Sequence, residues 1–370
     1  MSKILTLYSD YGQSVWLDYI DRNLLSHGGL RTLVAEGLRG VTSNPTIFHK
    51  AIAKSEDYNE TILDLLQADP EMDVVTLYKW LTIEDVQMAA DILAPVYKSS
   101  GGIDGFVSLE VSPHLAFDTV ATIDEARQLW RAVNRPNLMI KVPATVDGVR
   151  AIEELIKQGI NVNATLLFSV SRYKAVLAAY LRGLSMNPAP HKVASVASFF
   201  VSRIDTRVDA ILESINTPES QALKGRIAVA NATLAYRHFR EMSDDTEFKK
   251  QQQRGARPQR PLWASTSTKN REYSDVRYVE ELIFPNTVNT MPPETLDAFQ
   301  AHGELRAMQV SDIDAPQRVI DSLENQGISL AQITDELEQE GVRKFAESYD
   351  QLLTALKAKR FVLARKYASG

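Results

Sequence analysis

Eight times along this chain a short apolar run gives way to a longer segment with helical spacing. The runs are Ser14–Tyr19, Leu38–Ser43, Gly105–Val111, Leu138–Ala144, Gly159–Leu167, Val193–Phe200, Pro261–Thr266 and Thr287–Met291. Between them lie helical stretches such as Glu84–Tyr97, Ile123–Ala132, Asp147–Gln158, Ser171–Ala179 and Gln221–Arg240. That rhythm predicts parallel βα units. Eight of them suit an α/β fold of the closed (β/α)8 TIM-barrel type better than a doubly wound open sheet, the structural alternative. The 370 residues exceed the ~100–200 of an ordinary domain, but barrels routinely run longer. One barrel domain over residues 1–370, with additional helices including a C-terminal one, is the expectation.

Three helix starts are read from a threonine ahead of acidic residues: Thr82 before Glu84 and Asp85, Thr122 before Asp124 and Glu125, Thr145 before Asp147. The polar stretch Met242–Arg260 reads as a helix end and solvated loop. Gly341–Tyr367 reads as a final amphipathic helix carrying Phe345, Tyr349, Leu352, Leu353, Leu356 and Phe361. Core packing is its default role, with a lid over the barrel mouth as the alternative. No internal repeat and no linker stands out.

Alternation within the strands points to a polar interior. Barrel strands send alternate side chains to the outer helices and to the inside. Val107, Leu109 and Val111 take one phase, leaving Ser108 and Glu110 on the other. Leu138, Ile140 and Val142 leave Lys141 inward, and Val162, Ala164 and Leu166 leave Asn161, Asn163 and Thr165 inward. Trp16 pairs in phase with Asp18, and Thr42 with Asn44. A buried charge costs several kcal/mol unless it is paired or neutralised, so one such residue carries little weight. Five strands together predict a polar pocket holding a Lys, a Glu and an Asp.

Composition narrows the chemistry. No cysteine is present, which excludes disulfides, thiolate nucleophiles and Fe–S clusters. A net charge of -6 gives no electrostatic footprint for a nucleic-acid partner. No stretch approaches the ~20 apolar residues of a membrane span, and no secretory signal is read, so a cytoplasmic location is expected. The triplets Asn59-Glu60-Thr61 and Asn163-Ala164-Thr165 are therefore discounted as glycosylation sites. The six histidines show no metal-ligand spacing, and the G-x-S-x-G and phosphate-loop motifs are absent. Ser100–Gly105 precedes a strand and reads as an entry turn.

Lys141 is then the best nucleophile. A free lysine with a pKa of ~10.4 is rarely neutral at pH 7, and burial could lower that by about 3 units. An amine beside carboxyl groups suits Schiff-base formation with a carbonyl substrate, the carboxyls moving protons during dehydration and C–C cleavage. Asparagine, serine and threonine would hold a polyol, and Arg203 could clamp a phosphate.

These residues resemble the transaldolase family, Schiff-base barrel enzymes of the class I aldolase superfamily that serve the pentose phosphate pathway. The resemblance covers nearly the whole chain. It rests on Gly40-Val41-Thr42-Ser43-Asn44-Pro45-Thr46-Ile47-Phe48, Val107-Ser108-Leu109-Glu110-Val111 and Met139-Ile140-Lys141-Val142-Pro143-Ala144. It continues through Gly159–Ser169, Leu262-Trp263-Ala264-Ser265-Thr266 and Asn289-Thr290-Met291-Pro292-Pro293. It implies Lys141 as the Schiff-base lysine, Asp18 as the residue exchanging a proton with the substrate hydroxyl, and Glu110 and Thr165 as the pair activating water. Asn44, Asn163 and Ser198 would hold the dihydroxyacetone unit, with Thr42 also in the substrate site, and Arg203 would hold the phosphate. A ketose phosphate (sedoheptulose 7-phosphate or fructose 6-phosphate) would donate three carbons to glyceraldehyde 3-phosphate or erythrose 4-phosphate. No cofactor or metal is expected, and the assembly is read as a monomer or homodimer.

One departure stands out. Many family members carry an arginine in an A-S-F-R-N run, where this chain reads Ala264-Ser265-Thr266-Ser267-Thr268-Lys269-Asn270. Lys269 is either a second phosphate cation, acting as a point charge, or a solvated loop lysine. The nearest rival is an aldolase of the same superfamily that releases free dihydroxyacetone. That branch tends to carry Gln at the position of Glu110 and Tyr at that of Phe200, so both residues favour transfer. A non-catalytic sugar-phosphate-binding barrel is the other reading, and it leaves the buried lysine unexplained.

Overall fold

The computed structural model describes residues 2–306 and 315–368. Eight parallel strands close into a barrel in sequence order. They are β1 (Gln13–Leu17), β2 (Gly40–Val41), β3 (Phe106–Glu110), β4 (Leu138–Pro143), β5 (Val162–Leu167), β6 (Ser195–Phe200), β7 (Arg260–Ala264) and β8 (Thr287–Met291). Closure comes from β1 pairing with β8, Gln13 to Leu17 registering against Thr287 to Met291. All eight expected strands form. β2 is shorter than read, because Asn44 and Pro45 begin a helix (Pro45–Lys54) directly after it.

The barrel floor is packed and salt-bridged. Trp16 points inward and occupies the space a side chain on Gly40 would need, a Cβ there lying 2.5 Å from its ring. Its indole N–H donates to Asp104 at 3.2 Å. Asp104, in the turn before β3, also meets Arg39 at 2.8 Å and Arg260 at 3.2 Å. These two cations hold its carboxyl below the usual range despite full burial. The Ser100–Gly105 turn thus plugs the N-terminal end of the barrel.

Several helix readings are corrected. Thr145 does cap its helix (Val146–Lys157), accepting from the Gly148 amide at 3.0 Å. Thr82 and Thr122, however, lie inside helices Val74–Ser99 and Thr119–Val133, which Asp73 and Asp118 cap. Both threonine hydroxyls instead donate to carbonyls, those of Tyr78 and Leu115. A carboxylate is the stronger acceptor for free helix-start amides, and Asp73 takes two of them. The segment Gln221–Arg240 divides at Gly225, whose φ of 70° lies in the left-handed region and whose amide donates to Asp209. Within Met242–Arg260 the helix Thr246–Gln253, capped by Asp245, buries Phe248.

The last helix, Leu330–Ala368, is longer than read. It buries Phe345, Tyr349, Leu352 and Leu356 against the barrel, whereas Phe361 is 61% exposed. Four of the histidines are exposed, and His49 and His238 are half-buried. Among the described residues no helix is long and apolar enough to cross a membrane.

Candidate active site

Parallel register aligns the polar residues at the C-terminal ends of the strands, where barrel sites are built. Glu110 on β3 registers with Lys141 on β4, and Lys141 with Asn163 on β5. Lys141 Nζ lies 3.5 Å from Glu110 Oε2 and donates to the Ser43 carbonyl at 3.0 Å. Behind it, the Asn163 amide donates to Ser108 Oγ at 3.1 Å and accepts from Ser198 Oγ at 2.7 Å. That chain of bonds spans β3, β5 and β6 and fixes the amide's orientation.

Asp18 follows β1 and faces the same space. Thr42 Oγ1 donates to its Oδ1 at 2.7 Å and lies 2.7 Å from Thr290 Oγ1. Protein atoms crowd Asp18 and raise its carboxyl pKa, an effect that the Lys141 charge and the Thr42 bond only partly offset. Burial likewise pushes Glu110 up to about 7, against the opposing pull of Lys141. Neither Glu110 oxygen has a hydrogen-bond partner within the protein, and neither does the Thr165 hydroxyl. Buried polar atoms left without a partner are suited to hold water or a reacting group.

Thr165 reaches its position through a break in the sheet. The β5–β6 register shifts between Ala164 and Leu167, and Leu166 has φ 59°. A left-handed leucine costs energy, and such bulges re-aim neighbouring side chains beside active sites.

The cavity has a volume of about 650 Å³. Asp18, Thr42, Asn44, Lys141, Ser198, Arg203 and Lys269 line it, whereas Glu110, Asn163 and Thr165 stand behind that lining. Asn161, also read as interior, belongs elsewhere: its amide donates to the Pro136 and Leu138 carbonyls and accepts from the Ala194 amide, tying strand starts together. Asn44 both lines the cavity and caps the helix that follows it, accepting from the Ile47 amide at 3.0 Å.

Further cations line the same cavity. Arg203, in the first turn of helix Ser202–Ile215, stacks 5.1 Å over the Phe200 ring. Lys269 lies at the rim with its Nζ donating to Ser267 Oγ at 2.8 Å. Partial burial and the charges of Arg203 and Lys50 hold its pKa below the ordinary value, so the three cations share one region. Lys50 also lines the cavity and escaped the sequence reading. Its helical setting in Pro45–Lys54 gives it the pattern of an exposed surface residue. Phe345, from the C-terminal helix, was read as packing, with a lid over the barrel mouth as the alternative. It lines the cavity with its ring centroid 5.6 Å from Lys141 Nζ.

The sequence pattern of the family described as Transaldolase/Fructose-6-phosphate aldolase matches residues 15–356. A transaldolase of Thermobifida fusca is 47% identical over 359 residues, 95% of this chain and 97% of that protein. A transaldolase of Mycobacterium ulcerans is 46% identical over 368 residues, covering 98% of each chain. A transaldolase of Mycobacterium bovis is 44% identical over 361 residues, 96% of each. Matches of this extent, over a barrel with this lysine site, place the chain: it belongs to the transaldolase/fructose-6-phosphate aldolase family.

Proposed function

We infer that the protein transfers a dihydroxyacetone unit from a ketose phosphate to an aldose phosphate through a Schiff base on Lys141. The observation that carries this reading is the Lys141 amine, which lines a cavity together with Arg203 and Lys269 and lies 3.5 Å from a carboxyl raised to about 7. A carboxyl near neutrality can both give and take a proton at working pH.

In this reading Lys141 attacks the ketone carbonyl. Glu110, with Thr165, moves the protons that expel water from the carbinolamine and later return it. Asp18 accepts the proton of the substrate hydroxyl as the C–C bond breaks, and its raised pKa suits that task. Asn44, Asn163, Ser198 and Thr42 hold the three-carbon unit, the Asn163–Ser198 bond pre-orienting two of them. Arg203 and Lys269 take the phosphate. An overall charge of -6 repels such substrates, so these local cations must capture them. Glu110 and Phe200 support transfer over free release of dihydroxyacetone. With this function go sedoheptulose 7-phosphate or fructose 6-phosphate as donor, a cytoplasmic location and a monomer or homodimer.

Borohydride added with fructose 6-phosphate is expected to fix a covalent adduct on Lys141, seen by intact mass. No adduct on the parent chain, or an adduct that persists in Lys141→Met, would overturn the assignment.

A further inference from the structure

One wall of the Lys141 cavity comes from outside the barrel. Phe345, on the helix Leu330–Ala368, is only 4% exposed and faces the lysine amine across 5.6 Å. The helix is pinned at this height from both sides. Arg172 meets Glu338 at 3.0 Å, Thr46 Oγ1 donates to Ser348 Oγ at 2.9 Å, and Tyr349 stands edge-on to Tyr78 at 5.3 Å. One turn before Phe345, Gly341 lets the helix backbone settle on the left-handed Leu166. A Cβ there would lie 3.0 Å from the leucine methyl. The ring beside the lysine is therefore held in place, and it offers neither a hydroxyl nor an ordered site for water.

Chemistry gives that wall a purpose. After C–C cleavage, the retained three carbons form an enamine on Lys141. The enamine carbon has two fates. It can attack an acceptor aldehyde, which is transfer. Alternatively it takes a proton and becomes an iminium; water then adds at the imine carbon, the C–N bond breaks, dihydroxyacetone leaves, and the lysine amine and a proton are returned. A protein surface that keeps water off the intermediate suppresses the second path. The face of an aromatic ring also favours a cationic nitrogen within about 6 Å, so the shield does not oppose the iminium that precedes cleavage.

We propose that Phe345 is a positioning residue that shields the Lys141 enamine from solvent and so partitions the intermediate toward the aldehyde acceptor. The proposal rests on the transaldolase reading above. The C-terminal helix thereby sets reaction specificity from more than 200 residues away in sequence.

The test uses the full chain with fructose 6-phosphate and erythrose 4-phosphate, and measures free dihydroxyacetone against sedoheptulose 7-phosphate. Phe345→Ala is expected to raise that ratio roughly tenfold while Phe345→Leu stays within about twofold of the parent, since leucine still excludes water. Borohydride trapping on the parent separates the two ideas. An untrapped parent overturns the functional reading, whereas a trapped, folded Phe345→Ala with the parental ratio overturns the role of Phe345. Should Phe345→Ala fail to fold, Phe345→Val decides the matter. It keeps an apolar side chain but opens space for water beside the lysine, so a raised ratio supports the shield and an unchanged one overturns it.

Discussion

Glu110 and Lys141 are registered neighbours on β3 and β4, and their charged ends meet 3.5 Å apart with neither carboxylate oxygen hydrogen-bonded. The carboxyl is near its midpoint at neutral pH because burial outweighs the attraction of the lysine. Glu110→Gln keeps the shape and removes the titration. We expect kcat to fall about 100-fold and the limb near pH 7 in the parent's kcat profile to vanish. Rates measured from about pH 5 to pH 9 check this, and a limb that persists in the variant would assign it to another group.

The same shift has a consequence for stability. Glu110 titrates at about 7 in the folded chain against 4.5 for the free group. Between those values the folded state keeps a proton that the unfolded state has lost, so stability falls as pH rises through the window. Glu110→Gln lacks that slope. Relative to the parent, its unfolding free energy is expected to gain about 3 kcal/mol between pH 4.5 and about pH 8. Urea titrations at both ends measure the difference, and parallel behaviour of the two proteins would contradict it.

Arg203 supplies a rigid fork to the cavity, steadied by the Phe200 ring. Arg203→Ala is expected to raise KM for fructose 6-phosphate roughly 30-fold with a smaller change in kcat. Lys269 is exposed at the rim, so Lys269→Ala should cost only a few-fold. Equal effects from the two variants would mean that the lysine shares the phosphate as a full partner.

Gly40 exists in its place because Trp16 fills the space above it. Gly40→Ala is expected to cost about 1–3 kcal/mol through overpacking, read from the urea midpoint at unchanged m. Trp16→Leu combined with Gly40→Ala should be less destabilising than the two effects added, since the smaller side chain removes the clash. Strict additivity would show that the ring is not the obstacle.

Much of this molecule is readable locally. A strand turns successive side chains to opposite faces, so Ser108, Glu110, Lys141, Asn163 and Thr165 can be assigned to the interior from their neighbours alone. Thr145 is recognisable as a cap, with the helical pattern starting right after it. Thr82 and Thr122 mislead because their helices start earlier, at Val74 and Thr119, so the amides after each threonine are already bonded within the helix. Lys50 was missed, and Phe345 was left between packing and a lid, for a related reason. Each has the pattern of an ordinary helix residue, and only the placement of its helix turns it toward the cavity.

The sequence by itself determined the strands and, Asn161 apart, the polar residues on their inward faces, because those follow from backbone period and residue chemistry. Tertiary structure decided which groups meet. Barrel closure brings Asp18 after β1 within reach of Thr42 and, through it, Thr290 of β8. Desolvation by the whole fold raises Glu110, and the C-terminal helix lays Phe345 across Lys141. Such contacts join residues as far as 248 positions apart, and packing of the finished barrel sets them where no local period can.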